Sequence, residues 1–209
     1  MRLRITISKT AAMRFTGHLD VHRTWERTIR RARLPLVYSQ GFNPRPKINL
    51  AAALPLGFTS SCEILEMWLE QDFSEVELQT RLQEAAPPGI VISKVEAIDS
   101  KAPKIPNLTH AAEYTVTLID PFDDLENRTQ SLLNSETLPR DRRGKAYDLR
   151  PLIESIEWID PNQQGENRFK LRLAARTGAT GRPDEVLDAM DIMPHQARVH
   201  RSQLFLKPL

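Results

Sequence analysis

The sequence predicts an α+β fold made of two tandem ferredoxin-like (βαββαβ) domains with antiparallel sheets. Three observations point there. Short period-two apolar stretches alternate with amphipathic helical stretches in the order strand, helix, strand, strand, helix, strand. That order occurs twice. A segment at residues 100–111 carrying Pro103, Pro106 and two lysines separates the two runs. The expected boundaries are an N-terminal domain over 1–99, a linker over 100–111 and a C-terminal domain over 112–209. A chain of 209 residues suits two compact domains of about 100 residues each. The halves share no evident sequence repeat, so the duplication is one of pattern.

Arg2-Leu3-Arg4-Ile5-Thr6-Ile7-Ser8 alternates polar and apolar residues, as a half-buried strand does. After a turn with Gly17, Leu19 to Arg33 reads as a helix with Leu19, Trp25, Ile29 and Ala32 near one face. Arg23, Arg27, Arg30 and Arg31 lie at i, i+4, i+7 and i+8, which stacks four guanidinium groups on the opposite surface. Leu36-Val37-Tyr38 reads as a short strand. The two prolines and one glycine within residues 41–47 exclude a regular helix there. Ile48 to Leu54 and Cys62 to Leu69 read as strands. Ser74 followed by Glu77 resembles a capped helix start. That helix is expected to run to Ala86 and stop at Pro87-Pro88-Gly89, before a strand from Ile90 to Ile98. The second half continues with a strand at 113–119, a helix at 122–134, strand segments at 147–159 and 168–176, a helix at 183–190 and a last strand at 198–206. Asp184 and Glu185 suit the dipole of that last helix. Trp25, Trp68 and Trp158 fall in apolar patterns and are read as core residues.

A net charge of +2, from 29 Lys and Arg against 27 Asp and Glu, hides a strong asymmetry. Residues 1–47 hold eleven basic side chains against two acidic ones, a local charge of +9, and residues 48–99 carry −7. An apolar content of 40% supports packed cores and argues against general disorder. No apolar run approaches the roughly 18–20 residues that span a bilayer, and the charged start lacks the apolar stretch of a signal peptide. A soluble cytoplasmic protein without a membrane partner is expected. The single cysteine, Cys62, cannot by itself form an intrachain disulfide, a Cys-rich zinc site or an iron–sulfur cluster. No cofactor is expected, and phosphate-loop, dinucleotide and nucleophile-elbow motifs are absent.

Three constellations carry chemistry. The first is the helix row Arg23, Arg27, Arg30 and Arg31 together with Phe42, Arg45 and Lys47 in the following loop. Guanidinium groups grip phosphate bidentately. Phe42, with Tyr38 behind it, offers an aromatic face to an unpaired base. The competing reading is a solvated face whose arginines pair with Glu63, Glu66, Glu70 and Asp72. The second is Arg140-Asp141-Arg142-Arg143-Gly144-Lys145, in which Arg142, Arg143 and Lys145 form either a second RNA-contacting arm or a solvated loop. Beyond it, Asp148 and Arg150 are placed to form an ion pair at a strand edge. The third is His18 and His22 around Asp20, with the i, i+4 spacing of zinc-binding helices but no third ligand unless Cys62 or His200 approaches. No metal is assigned there. His18 or Asp20 reads more simply as a helix cap, and His18 as a general acid or base is a further reading. The turn at residues 177–181 is read as a hairpin loop rather than an anion site.

Residues 14–20 (Arg14-Phe15-Thr16-Gly17-His18-Leu19-Asp20), 34–48 and 53–57 (Ala53-Leu54-Pro55-Leu56-Gly57) resemble the radical SAM-linked protein family, a bacterial module found alone or fused behind cobalamin-binding radical SAM domains. Gly17, His18, Asp20, Tyr38, Gly41, Asn43, Pro44 and Pro46 carry the motif. Weaker likeness extends to residues 148–153 and 198–201. The resemblance implies a partner rather than a reaction: a radical SAM enzyme carrying the cluster, with this chain as its substrate-binding module. The reading is a non-catalytic accessory module that binds RNA, such as tRNA or rRNA, and presents it to that enzyme. Its rivals are a metal-independent RNA endonuclease using His18, and a protein-interaction subunit that binds no RNA.

Overall fold

The computed structural model describes residues 1–142 and 144–208. The chain divides into two compact units: Met1–Thr109 with the last residues from Leu206, and His110–Phe205.

In the first unit, β1 (Arg2–Lys9) places Leu3, Ile5 and Ile7 in the core at 0–1% exposure. The strand alternation sends these three side chains to one face. The helix α1 (His18–Arg31) buries Trp25, Thr28 and Ile29 against that face. It ends where Arg33 adopts φ 55°. Arg33 N–H donates to Arg30 O at 3.0 Å and Leu34 N–H to Ile29 O at 3.2 Å, the paired bonds of a Schellman stop. Next come β2 (Ile48–Leu50), β3 (Thr59–Trp68), α2 (Glu75–Ala85) and β4 (Ile90–Ile98). Ser74 caps α2 by accepting from Glu77 N–H at 3.2 Å, as the Ser-to-Glu spacing predicts. The sheet order is β4-β1-β3-β2, with every pairing antiparallel. The short α3 (Ile105–Leu108) completes the unit.

In the second unit, β5 (Thr109–Leu118) is followed by α4 (Leu125–Asn134). Then come the two-stranded ribbon β6 (Pro139–Arg142) and β7 (Lys145–Asp148), and β8 (Ile153–Ile159) and β9 (Arg168–Arg176). β10 (Ala179–Thr180), α5 (Pro183–Ala189) and β11 (Ala197–Leu206) close the chain. β9 pairs antiparallel with β5, β8 and β10, and β11 neighbours β5. Phe169, Leu171, Leu173, Val186 and Leu187 are buried to 1% or less and form much of its core.

The structure corrects several expectations. Residues 36–38 form isolated bridges, Leu36 to Leu69 and Tyr38 to Pro46, rather than a strand. The strand expected from Ile48 to Leu54 ends at Leu50. Residues 100–109, expected within a linker, belong to the first unit. Arg2 explains why: its guanidinium donates to the carbonyls of Ala102 and, at 2.9 Å, of Pro103, and Ile105 is fully buried. The single strand expected at 147–159 is split by a 3₁₀ turn at Arg150–Leu152, since Pro151 cannot donate to a ladder. Asp148 and Arg150 form no side-chain ion pair among the described residues. The Arg150 guanidinium instead donates to Leu133 O at 2.9 Å.

Candidate nucleic-acid interface

Helical periodicity leaves Arg23, Arg27, Arg30 and Arg31 exposed on α1, because Trp25, Thr28 and Ile29 take the inward stripe. The row is not neutralised by the acidic strand. Its one ion pair among the described residues is local, Arg23 to Asp20 at 3.4 Å. Arg31 donates to Thr28 Oγ1 at 3.4 Å. The buried acid of β3 is committed elsewhere: Glu66 binds Arg2 at 2.7 Å and Arg4 at 2.9 Å. The competing reading, in which the α1 arginines pair with residues 63–77, finds no such ion pair among the described residues.

Arg30 Nη2 approaches the Tyr38 hydroxyl at 3.5 Å, which places the base of the next loop beside the arginine row. Tyr38 bridges to Pro46, and Ser39 closes the loop. Its N–H donates to Arg45 O at 2.8 Å, and its hydroxyl accepts from Arg45 N–H at 2.9 Å. Gly41 at φ 136° turns the chain, and Phe42, Asn43 and Pro44 stand exposed at the tip. Phe42 shows 106% relative exposure, an aromatic face with no packing partner among the described residues. Arg45 and Lys47 form no ion pair among the described residues. They line a cleft of about 550 Å3 with Trp68 and Lys104.

His18 opens α1, but the cap position is Gly17, one residue before it, and glycine has no side chain to cap with. His22 Nδ1 instead meets Glu26 at 3.2 Å, and no metal-holding group of three His, Cys, Asp or Glu occurs among the described residues. His18 lines a water-sized cavity of about 20 Å3 with Lys9 and Glu63. Lys9 is 2% exposed, and its ammonium donates to Thr16 O at 2.9 Å and Phe58 O at 3.3 Å. Arg14 Nε donates to Gly57 O at 2.7 Å while Gly57 N–H returns to Arg14 O at 3.0 Å. These bonds bring residues 14–20 and 53–57 together. Sequence reasoning passed over Lys9 and read Glu63 only as a partner for the arginines, although strand parity marks both: Lys9 follows Leu3, Ile5 and Ile7, and Glu63 precedes Leu65 and Met67.

In the second unit, Arg142 and Lys145 pair across the β6–β7 ribbon, exposed, with Gly144 at φ 76° in the turn. Arg143 lies outside the described residues. Gly178, at φ 80°, begins the tight β9–β10 hairpin expected at residues 177–181. Among the described residues no helix is long and apolar enough to cross a membrane.

The sequence model of a family described as "Uncharacterized protein conserved in bacteria (DUF2344)" matches residues 2–183. The chain belongs to this family. No curated protein matches this DUF2344 chain. Among solved structures it resembles a chain of a Cbf5-Nop10-Gar1 complex, with a TM-score of 0.50 and 10% identity over 99% of this chain and 50% of that one. A chain of an archaeal box H/ACA sRNP Nop10-Cbf5 complex gives a TM-score of 0.46 at 10% identity, over 97% of this chain and 48% of that one. The DUF2344 chain thus spans about half the length of the chains it matches. At this identity the likeness is one of mixed α+β fold.

Proposed function

We propose that this chain is a non-catalytic RNA-binding module whose principal contact is the first-unit face formed by Arg23, Arg27, Arg30, Arg31, Phe42, Arg45 and Lys47. The observation that carries the reading is the Arg30–Tyr38 contact, which joins a row of cations to a loop with a fully exposed aromatic tip. Cations along a backbone supply salt-dependent affinity, and an exposed ring stacks on an unpaired base. Arg142 and Lys145 supply a second contact, with Arg143 between them in sequence. In this reading both units are ferredoxin-like, and the order β4-β1-β3-β2 in the first supports that assignment. The bound RNA is presented to a separate radical SAM enzyme in the cytoplasm, the partner implied by the resemblance of residues 14–57. A single cysteine leaves the cluster to that partner.

A second reading, RNA cleavage with His18 as general acid or base, is favoured by Lys9 and Glu63 lining the same cavity as His18. One experiment separates these readings. The full chain is incubated with labelled structured RNA across a salt series. Retention that falls steeply with salt, with intact RNA, supports the binding module. Cleavage lost in His18→Ala supports the nuclease. No retention at low salt, with co-purification of a radical SAM enzyme, supports a purely protein-binding subunit.

A further inference from the structure

The second unit contains a cleft of about 470 Å3, within the roughly 300–1,000 Å3 that small-ligand sites occupy. Its cationic lining is Arg142 and Lys145, directly paired across the ribbon. Tyr147 and Leu152 supply apolar surface. The Tyr147 hydroxyl donates to Glu185, which anchors the ring. Burial first, and then the Glu185 carboxylate, push the phenol well above its ordinary pKa, so it stays neutral.

Asp148 also lines the cleft. Its Oδ1 accepts the backbone N–H of Leu138 at 2.7 Å and of Arg150 at 3.0 Å. These bonds fix the carboxylate and leave Oδ2 without a hydrogen-bond partner among the described residues. The cleft thus combines two cations, an apolar wall and one fixed acceptor.

We infer that this cleft binds one guanine nucleotide: Arg142 and Lys145 hold the phosphate, Tyr147 and Leu152 pack on the base, and Asp148 Oδ2 accepts from guanine N1–H and N2–H. Guanine alone among the four RNA bases presents two adjacent donors on its Watson–Crick edge. The two lone pairs of one carboxylate oxygen can take both. Adenine and cytosine set an unprotonated ring nitrogen beside their amino group, and uracil flanks N3–H with carbonyls. Each of these turns lone pairs toward the carboxylate. Bonds to an ionised acceptor are the stronger ones. Placing the nucleotide within an RNA strand rests on the proposed function; the same chemistry accepts a free nucleotide.

The test is calorimetric titration of the full chain with GMP, AMP, CMP, UMP and inorganic phosphate. A parallel arm uses RNA hexamers that differ only in a single G or A. We expect GMP to bind about tenfold tighter than AMP, the size of one good base-edge contact. Asp148→Asn keeps the Oδ1 acceptor and replaces Oδ2 with a donor, so the preference should vanish with an unchanged melting temperature. Should that variant fold poorly, Lys145→Ala, at an exposed position, should weaken GMP and AMP together and keep their ratio. A G preference in either arm sustains the inference and assigns the source, RNA strand or free nucleotide. Equal binding of all four nucleotides, phosphate as tight as GMP, or a preference that survives Asp148→Asn overturns it. RNA retention lost on removing the α1 arginines, without any G preference, overturns this inference and leaves the first-unit reading standing. A G preference with no effect of the α1 arginines does the reverse.

Discussion

Arg2 and Glu66 form an ion pair sealed from solvent, Nη2 to Oε2 at 2.7 Å with side-chain exposures of 1% and 0%. Glu66 also binds Arg4 at 2.9 Å and accepts the N–H of Ile105 at 3.1 Å. One carboxylate thus ties β1, β3 and the start of α3 together. Glu66→Ala strands two guanidinium groups and a buried N–H, and is expected to cost about 3–5 kcal/mol, as breaking a buried pair does. Urea unfolding measures it, and a loss below about 1 kcal/mol would show that the network behaves like a surface pair.

Arg23, Arg27 and Arg31 are exposed, and the one ion pair they make is a surface contact to Asp20. Changing all three to Ala should leave the melting temperature nearly unchanged. If each meets a phosphate of single-stranded RNA, the slope of log affinity against log salt becomes shallower by about 2. An unchanged slope would remove α1 from the interface.

Phe42 has no packing to lose, at 106% exposure. Phe42→Ala should therefore not move the unfolding midpoint. It should weaken single-stranded RNA by about 1–3 kcal/mol, the usual worth of one base stacked on an aromatic ring. Binding that ignores the change, measured by fluorescence anisotropy, would mean that the loop tip does not meet a base.

Arg33 holds φ 55° at the stop of α1, a conformation that costs a side-chain-bearing residue about 1 kcal/mol or more relative to glycine. Arg33→Gly is expected to raise stability by about 1 kcal/mol, read by thermal or urea unfolding. A destabilised variant would show that the Arg33 side chain contributes more than its backbone conformation costs.

The raised pKa of Tyr147 comes first from burial and then from Glu185, and it has a defined sign in stability. Above pH 10 the unfolded chain releases this proton while the folded chain keeps it, so stability falls as pH rises. Tyrosinate absorbance should show a late-titrating phenol that Tyr147→Phe removes, and the variant should lose less stability above pH 10. Identical alkaline titrations of the two proteins would contradict the Tyr147–Glu185 bond.

Periodicity carries far in this chain. Alternation in β1, the Trp25–Ile29 spacing in α1 and the Ser74–Glu77 cap are each local, and each appears in the structure as the sequence predicts. The exposed arginine row was legible for the same reason, since the apolar stripe of a helix fixes its opposite face. Residues 147–159 were misread because a proline in a strand-like run is locally ambiguous between an edge strand and a turn.

The sequence by itself determined the charge asymmetry, the mixed α+β class and the side of α1 on which its arginines stand. Only the tertiary structure decided what the acidic strand does. Glu66 lies 62 residues from Arg4 along the chain, a separation that no local pattern encodes, and it is buried with Arg2 and not paired with an α1 arginine. The same holds for the second-unit cleft, where residues near 145 and near 180 line one space although they stand in different sheets. Local rules set which face a side chain takes, whereas burial and long-range pairing set what it meets there.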